Sequence, residues 1–358
     1  MYDLRLQSYH EIEGAVFRQE AGWLVPSSYG ALDREVGAVR KGAGMMDRSD
    51  RAKVAVRGAD RVSFVDGLVT AGVKPLAVGH STYALVLDEV SHVLGDLRIT
   101  ALGDSILLDI EAAQKVPLLD YFRKQIVSDD VALEDLGSCG HIEVHGPRSP
   151  AAVASALGVD VRGLSVDEQT TFPVDRHRSG TVSRINSLGE YGYTIEAVGD
   201  PLETVWASLV RVGVSPIGRD ALEVLRIESG RPRFGADMGP STLALEVAPE
   251  GVLSFTKGCY RGQEVVARGT YLGPMRRRML GLRVDGDVPP SAGNVVRLEA
   301  EEVGSVTSGC WSPTTGWVIA LAMLRVDKVR TDSHLFVDHD GWDLRASLHP
   351  LPFVLDRA

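Results

Sequence analysis

The stretch that decides the interpretation of this chain is the octapeptide Lys257-Gly258-Cys259-Tyr260-Arg261-Gly262-Gln263-Glu264. Its two glycines allow tight backbone turns, so the segment is expected in a loop. Lys257 and Arg261 flank Cys259, and positive charge beside a thiol lowers its pKa and favours the thiolate. The octapeptide therefore predicts a reactive cysteine. A buried cysteine in a turn with solvated charges around it fits the same spacing.

The octapeptide lies inside a longer stretch, Asp237 to Arg278, that is rich in glycine and polar residues. We predict a loop here, closed by Pro274. From Arg276 onward β-branched and polar residues alternate, with turns at Asp285-Gly286 and Asp340-Gly341, which is typical of a small β-barrel. Three arginines, Arg276 to Arg278, open this region. We interpret them as a solvated strand start; an anionic ligand tail or RNA is the alternative partner.

Upstream of the loop, helical and strand patterns alternate along the chain. Apolar residues at helical spacing predict helices over Tyr29–Gly42, Ala59–Leu68, Leu118–Ile126, Ala151–Leu157, Pro201–Val212 and Asp220–Glu228. Short β-rich runs predict strands at Lys53–Val56, Thr82–Leu87, Leu97–Ala101 and Ser105–Ile110. This alternation within single units predicts an α+β fold.

Composition limits the classes of function. A length of 358 residues allows two or three domains, and a net charge of −10 argues against direct nucleic-acid binding, which relies on clustered Lys and Arg. The apolar run Trp317 to Leu324 is far shorter than the roughly 20 residues of a membrane-spanning helix. No signal peptide is recognisable, so we expect a cytoplasmic protein. The three cysteines form no Cys-x-x-Cys pair, and we predict no metal site.

The octapeptide, with its continuation Val265-Val266-Ala267-Arg268, resembles the Lys-Gly-Cys-Tyr-x-Gly-Gln-Glu signature of YgfZ-type folate-binding proteins. Over nearly its whole length the chain also resembles the wider superfamily of the glycine cleavage T-protein, an aminomethyltransferase. The matching segments are Ala21-Gly22-Trp23, Glu35 to Arg40, Gly44 to Asp47, Gly95-Asp96-Leu97, Gly146-Pro147, Leu225 to Glu228, Val306 to Gly309 and Ser312-Pro313.

This resemblance implies an architecture. It predicts two α+β modules and a C-terminal β-barrel, arranged like a clover leaf around a central cavity that holds folate. The first module is expected to be discontinuous, at residues 1–51 and 138–274, with the second module inserted at 52–137. The barrel is expected at 275–358. The implied cofactor is tetrahydrofolate or a one-carbon derivative.

The resemblance also implies four folate contacts. Asp96 matches the second carboxylate of a paired Asp-Asp and would orient or protonate a folate amine, a general acid/base task. Tyr83 would stack on the pterin. Glu190 would accept two hydrogen bonds from the pterin edge, and Arg226 would meet the glutamate portion of folate. Without the resemblance these would be a turn aspartate, a core aromatic, an ordinary glutamate and a surface arginine.

Four positions depart from the family pattern. Asp50 stands where a histidine is expected, Ser187 where an aromatic is expected, and Glu111 where an asparagine is expected. In place of the first carboxylate of the Asp-Asp pair stands Gly95. These changes weaken the case for glycine-cleavage activity more than the case for folate binding.

Three functions fit these observations. The leading hypothesis is a YgfZ-like tetrahydrofolate-binding protein in which Cys259 helps to assemble or repair iron–sulfur enzymes, including tRNA-modifying ones, with those clients or assembly proteins as partners. The alternative is a folate-dependent aminomethyltransferase or demethylase centred on Asp96. The third is a folate-responsive scaffold that catalyses nothing. Catalytic residues are therefore expected at Asp96 and Cys259.

Overall fold

The structure is a computed structural model that describes residues 1–197, 201–271 and 275–355. The strands are β1 Tyr2–Asp3, β2 Val16–Glu20, β3 Trp23–Ser28, β4 Gly44–Asp47, β5 Ala52–Arg57, β6 Ser81–Leu87, β7 Val93–Ala101, β8 Ile106–Ile110, β9 Ala132–Ser138, β10 Gly140–His145, β11 Gln169–Pro173, β12 Ser179–Ile185, β13 Gly192–Ala197, β14 Ser215–Pro216, β15 Arg277–Val284, β16 Val295–Leu298, β17 Glu301–Ser312, β18 Trp317–Arg325, β19 Leu335–His339 and β20 Trp342–His349. The α-helices are α1 Gln7–Ile12, α2 Leu32–Lys41, α3 Arg61–Leu68, α4 Lys115–Gln125, α5 Ser149–Leu157, α6 Pro201–Arg211, α7 Arg219–Glu228, α8 Ala244–Val247 and α9 Gln263–Tyr271.

Three larger sheets organise these elements. One sheet has six strands in the order β11-β12-β13-β10-β4-β14, and a second has five in the order β6-β7-β8-β5-β9. Strands β15 to β20 close into a barrel, and β1 to β3 form a small separate sheet. The predicted α+β class with a C-terminal barrel is confirmed. Strands β5 to β9 stand between β4 and β10 in sequence but belong to another sheet, as an inserted module would; the exact domain limits stay a prediction.

The predicted helices form where the sequence favours them. In α2, Asp33 and Glu35 lie in the first turn and Arg40 and Lys41 in the last, which complements the helix dipole. Its Val36 and Val39 are buried, as the periodicity predicts. The other predicted helices and strands match observed elements within a few residues at each end.

The prediction of a loop from Asp237 to Arg278 is wrong in part, because α8 and α9 lie within it. Helix α9 combines β-branched valines with a glycine, which are poor helix formers, so local propensity gave no signal. Its Val266 is fully buried in the core, and this tertiary packing stabilises the helix. Pro274 lies outside the described residues. The arginines at 276–278 are exposed at the start of β15, as predicted.

One hydrophobic cluster connects all three units. It contains Val36 of α2, Leu85 of β6, Leu225 of α7, Val266 of α9 and Ile319 of the barrel. Helix α7 contacts α2, β3 and the barrel strands β17 and β18. The elements that carry the predicted folate contacts therefore meet around a shared core to which α7 contributes.

Candidate functional site

A carboxyl group, a phenol and an amide meet on the five-stranded sheet. The register pairs Leu85 with Asp96, which makes Tyr83 a diagonal neighbour of Asp96 on the same face. The Tyr83 hydroxyl donates to Asp96 Oδ2 at 3.0 Å. Gln114 Nε2 donates to Asp96 Oδ1 at 2.8 Å, and Gln114 Oε1 accepts from the Asp96 backbone N–H at 2.9 Å. We call this group the Asp96 centre.

The surroundings of the Asp96 centre favour a protonated carboxyl group. Burial raises the pKa of Asp96, with the charge of Glu111 acting in the same direction, although the Gln114 and Tyr83 hydrogen bonds oppose the change. Burial and the adjacent Asp96 also raise the pKa of Tyr83 well above its usual value. Both side chains nevertheless keep part of their surface accessible. Such a carboxyl group can exchange a proton with a bound amine.

The structure gives a physical reason for the lost first carboxylate of the Asp-Asp pair. A Cβ atom at Gly95 would lie 2.6 Å from Gln114 Oε1 and 2.9 Å from Leu118 Cδ2. The space that a side chain at Gly95 would need is therefore filled by the residue that holds Asp96. Gln114, which the sequence analysis did not identify, holds the surviving carboxyl group in place through two hydrogen bonds to Asp96.

The two acids that replace expected family residues belong to a buried arginine network. Glu111 is paired with Arg48 at 2.5 Å and with Arg51. Asp50 lies 2.6 Å from Arg219 and 3.7 Å from Arg48. Burial opposes ionisation of Glu111, but Arg48 and Arg51 lower its pKa to about 2. The departures at Asp50 and Glu111 are thus compensated by arginines, and both acids are neutralised within the protein.

Glu190 is fully buried beside Arg40. Its Oε1 accepts from Arg40 Nη1 at 3.0 Å, and Arg40 also binds Glu228 through Nη2 at 2.7 Å. Glu228 in turn accepts from Ser312 of the barrel at 2.6 Å. Among the described residues, Glu190 Oε2 has no hydrogen-bond partner, although it is buried. One acceptor of the predicted pterin contact is therefore open and the other is occupied.

Arg226 is committed to contacts within the protein. It donates to Asp237 at 2.7 Å, to Glu223 at 2.7 Å and to Ser308 of the barrel at 2.8 Å. Burial opposes its charge, but Glu223 and Asp237 raise its pKa overall. Its contact with the folate glutamate stays a prediction, and these bonds show a structural role that joins α7 to the barrel.

Another arginine, Arg231, acts on the Asp96 centre through its charge. Its charge acts on the Tyr83 hydroxyl, and its guanidinium donates to the Asn186 carbonyl at 3.4 Å. Arg231 also lines a cavity of about 490 Å³ together with Glu246, Arg278 and other residues. None of the four predicted folate contacts lines this cavity, although Gly189, the neighbour of Glu190, does.

The octapeptide is fastened to the second module by its two cations. Lys257 Nζ donates to the carbonyl oxygens of Asp66 at 2.6 Å, Val69 at 2.9 Å and Ala71 at 2.7 Å, in the last turn of α3 and just past its C-terminal end. A cation at this position also complements the helix dipole. Arg261 donates to Gln125 at 3.0 Å and is paired with Glu89.

These contacts change the interpretation of the octapeptide. The side chains expected to activate Cys259 are engaged with the second module, and the activation stays a prediction. Cys259 itself is exposed.

The remaining residues of the octapeptide have structural roles. Gly262 has φ +80°, and a Cβ there would lie 2.7 Å from the Asp88 carbonyl oxygen, so glycine is needed for this close approach. Tyr260 is buried, and its N–H donates to Gln263 Oε1 at 3.2 Å, while Glu264 lies in the first turn of α9.

The chain matches two family descriptions that together span almost all of it. Residues 6–257 match the GCVT N-terminal domain, and residues 277–354 match the glycine cleavage T-protein C-terminal barrel domain. The chain belongs to the glycine cleavage T-protein family. Members of this family use tetrahydrofolate as a substrate or cofactor, as the sequence resemblance implies.

Individual T-protein relatives agree with this assignment. The chain is 31% identical to an aminomethyltransferase of Pseudothermotoga lettingae, over 97% of this chain and 96% of the relative. It is 27% identical to one of Herpetosiphon aurantiacus, over 98% of both. The crystal structure of the glycine cleavage system aminomethyltransferase T from Bartonella henselae superposes with a TM-score of 0.89 at 26% identity, covering 99% of both chains.

These T-protein relatives favour one of the functional hypotheses over the others. They carry the name aminomethyltransferase, which favours the alternative hypothesis over the leading one. The YgfZ type, with its iron–sulfur and tRNA-modifying clients, gains no support from them. Across the described ranges, no helix is long and apolar enough to cross a membrane.

Proposed function

We propose that this T-protein family member binds tetrahydrofolate at the Asp96 centre and transfers a one-carbon unit to or from it. The observation that carries this proposal is the Asp96 carboxyl group, which two side-chain donors hold while part of it stays accessible. A rigidly held carboxyl group whose pKa is raised toward the working pH suits general acid/base catalysis.

The residues present fit a folate. The buried Glu190 Oε2 has no partner within the described ranges, and a buried acceptor of this kind requires a donor such as the amine edge of a pterin. Tyr83 offers an aromatic surface beside Asp96. Arg231, rather than the fully engaged Arg226, has donors left for the carboxylates of the glutamate portion.

In this proposal the chain supplies orientation and a proton site. Tetrahydrofolate supplies secondary and aryl amine nitrogens that accept a one-carbon unit. As the amine nitrogen forms its new bond to carbon, the bond between that carbon and its donor would break, and the donor would leave with the electron pair. The ionised form of Asp96 would take the proton that leaves the nitrogen and would return it in the reverse direction. Tyr83 and Gln114 keep the carboxyl group in place during both steps, because each donates to a different oxygen.

Calorimetric titration with tetrahydrofolate tests the binding site. Glu190→Gln exchanges one acceptor for a donor and should weaken binding at least about tenfold, because a buried donor would then face a donor. Arg231→Ala should weaken binding of the polyglutamate form most. The exposed Glu203→Gln is the matched control and should bind like wild type. Absence of binding in wild type would refute the proposal.

A second candidate function rests on Cys259. The exposed thiol sits on a loop that Lys257 and Arg261 hold firmly, which is a suitable way to present a cysteine to a partner. This supports the YgfZ-like role in iron–sulfur enzymes. Under that role, Cys259→Ser would abolish support of client enzymes in cells without changing folate affinity. Tight folate binding without any one-carbon product would instead indicate the scaffold.

A further inference from the structure

A separate cluster of polar side chains lies where the six-stranded and five-stranded sheets meet. Asp109 belongs to β8 of the five-stranded sheet, whereas His141 and Glu196 face each other on β10 and β13 of the six-stranded sheet. One possible ligand atom from each of these three residues lies within 4.8 Å of the other two. The three residues are far apart in sequence, so no sequence motif predicts the cluster.

His141 is the unusual member of the cluster. Its side chain is almost completely buried, yet in the described part of the chain neither ring nitrogen has a hydrogen-bond partner. The closest carboxylate outside the cluster, Glu143, is 3.8 Å from Nε2, beyond hydrogen-bond distance. Buried polar groups in folded proteins are almost always paired. The imidazole therefore offers a free lone pair within reach of two carboxylates.

Lys53 marks the place where a cation sits in this cluster. Its Nζ lies 3.1 Å from Asp109 Oδ2 and is also paired with Glu196. Arg51 Nε also donates to the other oxygen of Asp109, Oδ1, at 2.6 Å. The two cations satisfy the carboxylates but leave the imidazole unused. A divalent ion could use all three donors at once. Glu196 keeps 25% of its side chain exposed, so one of the three proposed ligands is in contact with solvent.

We infer that Asp109, His141 and Glu196 form a binding site for a divalent transition metal of the zinc type, which binds in exchange for the Lys53 ammonium. One imidazole nitrogen and two carboxylate oxygens are a donor set that suits Zn²⁺ and Co²⁺ and leaves a fourth position for water. The ligands come from both sheets, so the bound ion would cross-link the two α+β modules. This inference is independent of the folate proposal.

Titration of the full chain with Co²⁺ tests the site through its visible d–d absorption. Wild type should bind one ion, and Zn²⁺ should displace it and raise the melting temperature. His141→Asn should weaken binding at least about tenfold, since loss of even an outer-shell partner costs about 10–100-fold. Lys53→Met removes the ammonium group that bridges Asp109 and Glu196, leaves Arg51 on Asp109 Oδ1, and should tighten binding at least about tenfold. The exposed His177→Asn is the matched control and should leave binding unchanged.

Two outcomes would overturn the inference. One is the absence of Co²⁺ binding in both wild type and Lys53→Met; the other is binding that His141→Asn leaves unaffected. If Lys53→Met does not fold, Glu196→Gln serves in its place and should weaken binding, because Glu196 is partly exposed. Absorption from thiolate-to-cobalt charge transfer would assign the ion to a cysteine and would also contradict the proposed donor set.

Discussion

The Asp96 centre and the octapeptide loop each contain a predicted functional residue, Asp96 and Cys259, but the side chains around these two residues bond to different partners. At the Asp96 centre the neighbours bond directly to the functional group: Tyr83 and Gln114 each donate to a carboxyl oxygen. In the octapeptide the charged neighbours of Cys259 bond to the second module and fix the loop. The first arrangement holds the predicted acid/base group in place, whereas the second presents the predicted reactive thiol at the surface.

The largest expected effect on stability concerns the loop. Lys257→Met keeps the hydrophobic stem but leaves the carbonyl oxygens of Asp66, Val69 and Ala71 without their donor. We expect the free energy of unfolding to fall by about 3 kcal/mol, because unpaired buried acceptors cost about 1–3 kcal/mol each. Urea denaturation measures the change. Arg261→Met, at a half-exposed pair, should cost less than about 1 kcal/mol.

If Lys257→Met lowers the free energy of unfolding as little as Arg261→Met does, Lys257 does not clamp the octapeptide loop to the second module. Such a result would return the Lys257 charge to its predicted role as an activator of Cys259. The rate of thiol modification at Cys259, measured in the same variants, separates the two roles. A clamp predicts increased accessibility, whereas an activator predicts slower reaction.

The next effect concerns the packing behind Asp96. Gly95→Asp would restore the paired carboxylates of the family pattern, but its side chain must displace Gln114 and Leu118. We expect about 2 kcal/mol of destabilisation, in the range of overpacked cores. Gly103→Asp is the control, since nothing lies within 4 Å of a Cβ there. Equal stability of the two variants in thermal unfolding would show that Gln114 is not required in its observed position.

The smallest effect is a dependence of stability on pH. Burial raises the pKa of folded Asp96, so its contribution to stability is complete below the unfolded-state pKa of about 3.9 and is lost as pH rises through the folded-state pKa. Asp96→Asn cannot ionise, so it should gain stability relative to wild type as the pH rises above about 4. Urea denaturation across this range measures the gain.

Asp104 provides a control of opposite sign. Hydrogen bonds from Ser105 and Arg57 lower its pKa, so its contribution is present above the unfolded-state pKa and is lost in acid. Asp104→Asn should therefore lose stability relative to wild type as pH rises. Parallel stability curves for wild type and Asp96→Asn would contradict the buried carboxyl group described for Asp96.

Much of the fold could be predicted from sequence. Apolar periodicity located α2, which buries Val36 and Val39 and exposes charged residues on its other face, and it located α7, which buries most of its residues. Alternation of β-branched and polar residues predicted the barrel region. Helix α9 was missed, since tertiary burial of Val266 outweighs its poor propensity. The pairing of Tyr83 with Asp96 depends on the β6–β7 register, and the role of Gln114 depends on a turn that returns it to β7.

Contacts between distant segments could not be predicted in this way. The arginine network of Arg48, Arg51 and Arg219, and the cluster around His141, combine residues from several strands and helices. A single sequence contains no spacing rule for such contacts. The contacts that Lys257 makes with the second module were not predicted for the same reason: Cys259 lies near it in sequence, but its bonding partners lie about 190 residues away.

Turnover of Asp96→Asn and Cys259→Ser, compared side by side with wild type, tests the central claim most directly. Release of tetrahydrofolate from 5,10-methylene-tetrahydrofolate, with ammonium and a dithiol as acceptors, measures the one-carbon transfer. We predict that Asp96→Asn lowers the rate at least about 100-fold, as expected for loss of a general acid/base, and that Cys259→Ser stays within about twofold of wild type. Full activity in Asp96→Asn, or loss of activity in Cys259→Ser alone, would contradict the account.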